Sequence, residues 1–180
     1  MVSMHNADTD QVHAARLTTE LAVKVDDLIH PDMELKSIHD LSPRELVHSI
    51  ELEMLKQPQI ELPVRHYFSP GVYARELLIP ANTILTGKIH KYPHLCIMSA
   101  GDMSVLLDDG IKRVQAPFTT ISPAGTKRIA YAHADTIWTT IHATDETDLD
   151  KIEALFVAQD EAEYREFLAQ QRGDAVKCLS

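Results

Sequence analysis

The sequence has little cysteine: two residues in 180, Cys96 inside an apolar strand pattern and Cys178 near the end. Such a pair makes no disulfide framework, and a reducing compartment fits it. No apolar run approaches the roughly 18–20 residues that a membrane-crossing helix needs, so no membrane partner is expected. The opening residues, MVSMHNADTD, lack the charged-then-apolar pattern of a secretory signal, and the cytoplasm is the expected location. Basic residues are outnumbered, 17 Lys and Arg against 27 Asp and Glu, for a formal net charge of −10. That balance argues against general nucleic-acid binding, which needs a basic footprint. There is no internal repeat and no low-complexity tract.

What is present suffices for one domain with appendages. At 180 residues and 44% hydrophobic content the chain can bury a sizeable core. Residues 1–59 read as a polar tail and helices. A loose helical pattern covers 14–28, and a better helix follows Ser42-Pro43-Arg44-Glu45, a capping box with proline at the first helical position. Leu46, Val47, Ile50, Met54 and Leu55 form its apolar stripe, and Gln57-Pro58 ends it. From residue 60 to 144 the period is that of strands, expected over 61–68, 72–79, 84–90, 94–100, 103–108, 111–115, 118–122, 127–131 and 136–142. The turn signals between them, Asp108-Asp109-Gly110 the strongest, suggest a small all-β sandwich or barrel. Residues 145–180 return to helices, over 148–158 and 161–171, with Leu149, Ile152, Leu155, Phe156, Tyr164, Phe167 and Leu168 as their buried positions. The fold class expected is mainly β, one barrel flanked by N-terminal and C-terminal α-helices.

The chemistry concentrates in Gly87-Lys88-Ile89-His90-Lys91-Tyr92-Pro93-His94, followed by Gly101. Two imidazoles four positions apart, on a strand and the loop after it, can converge on one cation. His142 on the last strand is the candidate third metal ligand, whereas His133 sits in a turn and is expected outside. Without a cation, His90 and His94 become polar pocket residues, with neutral imidazole available as a general base near pH 7. Lys88 leaves the strand on the same face as His90. Lys88 and Arg128 together offer an anion clamp, since arginine presents a planar fork to carboxylate or phosphate. The plainer alternative pairs them with an acidic barrel residue such as Glu76. Tyr73, Glu76 and His66 are candidates for the same mouth. Tyr73 and Arg75 share one strand face and Glu76 takes the other, so not all point inward. The substrate contacts expected are Arg128, Glu76 and Tyr73. Trp138, the one tryptophan, reads as core, and the Thr144-Asp145-Glu146-Thr147-Asp148 run reads as helix capping before it reads as a cation site.

The β segment, over about residues 62–144, resembles the cupin superfamily of jelly-roll barrels. The first cupin motif runs glycine, five residues, His-x-His, three or four residues, Glu, six residues, glycine. Lys88-Ile89-His90-Lys91-Tyr92-Pro93-His94 with Gly101 falls on it. The second motif centres on Pro-x-Gly-x-x-His, and Pro123-Ala124-Gly125-Thr126-Lys127-Arg128 falls on that. The hairpin that follows it is similar to Ala134-Asp135-Thr136-Ile137-Trp138. The phrases TGKIHK, SPAGTKR and AHADTIWTTIHATDETDLDK look like a cupin-like protein of tailed bacteriophages and prophages. Lys88 stands where the first metal-binding His of the family belongs, His94 where its Glu belongs, and Arg128 where its last His belongs. Two permanent cations at ligand positions would repel a metal ion, depress the histidine pKa values and favour an anion.

The resemblance implies a single jelly-roll barrel and three classes of function. In the first, an enzyme, His90, His94 and His142 hold Zn²⁺, Fe²⁺ or Mn²⁺, or His90, His94 and Lys88 do metal-free acid–base work on a small anionic molecule. Isomerisation, proton abstraction of the lyase type and dioxygenation are the reactions in view. The second class is a non-enzymatic binding module for a small anion. The third is a phage structural or assembly protein that uses the barrel as an oligomerisation scaffold. A homodimer through edge strands or exchanged N-terminal segments follows by the same resemblance, in the host cytoplasm if the protein is phage-encoded.

Overall fold

The computed structural model describes residues 14–16, 42–107 and 110–177. In chain order these form β1 (Ala14–Arg16), α1 (Pro43–Met54), β2 (Val64–Ser69), β3 (Val72–Ile79), β4 (Thr83–Thr86), β5 (Ile89–His90) and β6 (His94–Ala100). There follow β7 (Asp102–Leu107), β8 (Gly110–Gln115), β9 (Phe118–Ser122), β10 (Ile129–Ala132), β11 (Thr136–Ala143), α2 (Leu149–Phe156), β12 (Val157–Ala158) and α3 (Glu161–Lys177). The fold is mainly β. One antiparallel sheet runs β1-β4-β10-β7-β8, a second runs β2-β3-β11-β6-β9, and β12 pairs with β5 alone. Apart from the β2-β3 and β7-β8 hairpins, neighbours in each large sheet come from distant parts of the chain, which is the crossing pattern of a jelly roll.

The core lies between the sheets. Leu62, Leu77, Ile79, Leu85, Met98, Met103 and Ala132 are its buried members, with Val105, Ala130 and Trp138 packed against them. Outside the first sheet lies α1, started by the capping box: the Ser42 side chain accepts from the Glu45 N–H, and the Glu45 carboxylate accepts from the Ser42 N–H at 2.8 Å. Val47, Ile50 and Met54 fall on one helical face and bury against Ile84 and Ile129. Glu51, also buried, ties the helix down by accepting from Thr86 Oγ1 at 2.8 Å and Lys127 Nζ at 2.7 Å.

The structure departs from the expected elements in four places. Residues 14–16 are not helical. They form β1, paired with Thr83–Leu85 of β4, and 17–28 lie outside the described residues. The single strand expected over 84–90 is two strands parted at Gly87-Lys88. β4 stays in the first sheet, whereas β5 turns away to pair with β12, Val157 opposite His90 and Ala158 opposite Ile89. That pairing also ends the helix expected over 148–158 at Phe156, because Val157 and Ala158 are drawn into extended conformation. The last helix, α3, runs on to Lys177. Asp108 and Asp109 of the expected hairpin turn lie outside the described residues, and Leu107 faces Gly110 across it. No described helix is long and apolar enough to cross a membrane.

Gly101 joins the two sheets between β6 and β7 with φ of +110°, and a Cβ there would lie 2.1 Å from Thr136 Oγ1 and 2.6 Å from the Thr136 Cα. Positive φ and collision with backbone act together. Gly101→Ala is therefore expected to lower unfolding free energy by about 3 kcal/mol or more, read by urea denaturation. A loss under about 1 kcal/mol would contradict this packing.

Candidate functional site

Strand alternation builds the site in tiers. The inward side chains of β3 are Tyr73, Arg75, Leu77 and Ile79, and Tyr73 faces His142, Arg75 faces Thr140 and Leu77 faces Trp138 on β11. On the other side of β11, Thr140 faces Cys96 and Trp138 faces Met98 of β6. The wall thus descends from imidazoles and a phenol at the mouth, through guanidinium, hydroxyl and thiol, to an apolar floor. It encloses a cavity of about 160 Å³, completed by Leu85, Met103, Val105 and Ala130 from the first sheet and by Arg128 just before β10. Leu149, Ile152, Glu153 and Phe156 of α2 close it from above. Asp148 caps that helix by accepting from the N–H groups of Asp150 and Lys151.

His90, His94 and His142 meet at the mouth. Ring centroids are 4.0 Å apart for His90 and His94, 5.2 Å for His90 and His142, and 5.1 Å for His94 and His142. Phe156 stacks on the His142 ring at 4.3 Å. Burial is the main cause that pushes the His90 pKa down to about 2, followed by repulsion from His94 and His142 in their protonated forms and from Arg75 and Lys88. His142 is pushed down to about 4 by burial, then by His94 and Arg75. His94 is lowered by burial and by Arg128, against the opposing hydrogen bond to the Tyr92 carbonyl at 3.3 Å. All three rings are neutral at pH 7. A base that weak takes up a proton poorly at neutral pH, so the cluster offers hydrogen bonds more readily than general-base catalysis.

The expected contacts sort differently from one another. Tyr73 is buried in the mouth tier and shares a 2.8 Å hydrogen bond with His66 Nδ1. Glu76, expected to contact substrate, lies on the outer face of the sheet. It accepts from Arg65 Nη1 at 3.1 Å and from the Tyr67 hydroxyl at 3.2 Å, because one residue along a strand reverses the side chain. Nor does Glu76 answer the cations of the cavity. Lys88 Nζ pairs at 2.5 Å with Glu153 of α2, a partner from outside the barrel pattern. Arg128 lines the cavity, and its Nε is buried with no hydrogen-bond partner among the described residues, as is His90 Nδ1. His133 is exposed and bonded to Ser104 Oγ at 2.8 Å. Cys96 is a buried free thiol in the middle tier, its pKa pushed up to about 11 by burial, and Cys178 lies outside the described residues. Sequence reasoning passed over Arg75, Thr140, Glu153 and Phe156 as site residues. Alternation from Tyr73 points to Arg75, whereas nothing in the strand pattern announces the two residues of α2.

The donor set bears on the metal expectation. His90, His94 and His142 are close, yet among the described residues no group of three or more His, Cys, Asp or Glu side chains is arranged to hold a metal ion. Arg75, Arg128 and Lys88 line the same cavity and oppose a further cation. These residues do not fit Zn²⁺, Fe²⁺ or Mn²⁺.

No protein-family model matches the chain, and no curated protein matches it. Among solved structures, an acetylacetone dioxygenase from Acinetobacter johnsonii aligns at 15% identity over 46% of this chain and 59% of its own, with a TM-score of 0.39. The alignment therefore spans less than two thirds of that dioxygenase. A cupin-2 domain protein from Shewanella frigidimarina aligns at 12% identity over 46% of this chain and 80% of its own, with a TM-score of 0.39. A protein described as ethanolamine utilization protein Q, from Salmonella typhimurium, aligns at 8% identity over 47% of this chain and 71% of its own, with a TM-score of 0.40.

The depressed histidines set a pH dependence. A histidine whose folded pKa lies below its unfolded value of about 6.5 contributes its full stability above that pH and loses it as pH falls toward the folded value. For His142 the window runs from about 6.5 down to about 4. Each such group contributes a slope of up to about 1.4 kcal/mol per pH unit. Urea midpoints are expected to hold level from pH 8 to 7 and to fall below 6.5, with a shallower fall in His142→Gln. Stability that stays level down to pH 5 would contradict buried neutral rings.

Proposed function

We propose that the protein is a small-molecule-binding jelly roll that takes a small organic anion into the barrel mouth, its negative end on Arg128 beneath the imidazole cluster. The observation that carries this reading is the Arg128 Nε, buried in the cavity wall without a partner among the described residues. Leaving a buried donor unmade costs about 1–3 kcal/mol, and more for a charged group. A carboxylate arriving from solvent removes that penalty and adds a charge-assisted hydrogen bond. The neighbouring rings are neutral, so the positive charge at the site comes from Arg128 together with Arg75 and Lys88, while His90 Nδ1 offers a second polar contact.

The size and lining of the cavity refine the class. About 160 Å³ is close to the roughly 150 Å³ of an apolar cavity that holds benzene. Below the guanidinium tier the wall is Leu77, Leu85, Met103 and Trp138. The ligand that suits both parts is a monocarboxylate with a compact apolar body, of which benzoate is the simplest probe. Binding without turnover is favoured over metal-free acid–base catalysis, because imidazoles pushed far below pH 7 are poor bases. The setting proposed for the protein is the host cytoplasm, and it rests on the phage-like sequence phrases alone.

Calorimetric titration with benzoate at pH 7.5 tests the reading. Wild type and the outer-face variant Glu76→Gln are expected to bind alike, and Arg128→Met about tenfold or more weakly. Equal binding by Arg128→Met, or a near-stoichiometric transition metal in the purified protein that His90→Ala loses, would overturn it.

A further inference from the structure

The two sheets are treated differently on their outer faces. α1 covers the first, burying Val47, Ile50 and Met54 against Ile84 and Ile129. The other two helices pack elsewhere, α2 with Tyr73 at the mouth and α3 with Ile89 and Ala158. The outer face of the second sheet carries, in direct cross-strand register, Tyr67 opposite Ala74, Ala74 opposite Ile141, Ile141 opposite Leu95 and Leu95 opposite Ile121. This apolar row crosses all five strands. Tyr67 is 50% exposed, Leu95 37% and Ile121 68%. Leu78 and Ile137, also paired, extend the patch, and Ile97 fills the row between.

We infer that this face is the surface through which two copies of the chain associate, sheet against sheet. The charge on it favours a like partner. Among the described residues its rows carry one ion pair, Arg65 with Glu76 at 3.1 Å, so the patch is locally neutral in a chain of formal charge −10 and asks for no oppositely charged protein. The extent suits a dimer as well. The exposed and half-buried apolar side chains of the patch offer on the order of 500 Å², the core of an interface that buries about 800 Å² per partner once its polar rim is added. The row is also self-complementary. With a two-fold axis along β11, Tyr67 lies over Ile121 of the partner subunit and Arg65 over Thr119 of the partner subunit, so aromatic meets aliphatic and the ion pair stays at the wet edge. The contact is face to face, not the edge pairing expected from the family resemblance.

Sedimentation velocity on the full chain at tens of micromolar tests the inference, with circular dichroism as the check on folding. Wild type is expected to sediment as a dimer. Ile121→Glu and Tyr67→Glu, at opposite edges of the row and both exposed in one copy, are each expected to sediment as folded monomers. Ile111→Glu, at a 58% exposed position on the first sheet, is expected to remain dimeric. A monomeric wild type would overturn the inference and leave the face to another occupant. A dimer that survives both substitutions in folded protein would overturn it too, as would one lost equally in Ile111→Glu.

Discussion

β11 is hydrogen-bonded on both edges, to β3 along its whole length and to β6 across a shift at Ile137 and Trp138. Because side chains alternate, that register decides what each face of the second sheet presents. Trp138, Thr140 and His142 go inward to floor, middle tier and mouth, while Ile137, Thr139 and Ile141 go outward. A slip by one residue would carry the imidazole out of the cavity and exchange the outer apolar row for polar groups. The site and the outer apolar row are thus two consequences of one strand pairing.

The mouth is finished by the end of the chain. β12 pairs with β5 next to His90, Lys91 donates its backbone N–H to the Phe156 carbonyl at 2.7 Å and its ammonium to the Ala154 carbonyl at 2.8 Å. With the Lys88–Glu153 pair, these contacts hold α2 over the rings. The same closure explains the electrostatics. Water excluded from the mouth leaves the imidazoles neutral, and a neutral cluster tolerates Arg128 beneath it better than three imidazolium rings would. The fold supports many chemistries, and the proposed preference for an anion rests on neutral rings beside the half-buried Arg128, whose Nε is buried.

Much of the fold was legible where local signals and tertiary packing agree. Strands 72–79, 94–100 and 118–122 lie where alternation and turns put them, and Ser42 and Glu45 form the capping box that their spacing implies. What escaped depends on partners far away in sequence. The break at Gly87-Lys88 exists because β5 finds β12, some 67 positions on. The β1 residues resemble a helix start and become a strand only because β4 offers an open edge. In the site, a motif alignment brings Lys88, His90, His94 and Arg128 into view but not their partners. Glu153 answers Lys88 from a helix, and Glu76 is taken outside by the alternation that brings Tyr73 in. That the Arg128 Nε lacks a partner is a fact of three-dimensional surroundings, which no single residue announces.

A crystal structure of the protein soaked with benzoate at neutral pH is the most direct measurement of the central claim. The carboxylate is expected against Arg128 Nε, with the ring lying toward Leu77 and Trp138 under the three imidazoles. A metal ion coordinated by His90, His94 and His142, or a carboxylate bound away from Arg128, would contradict it.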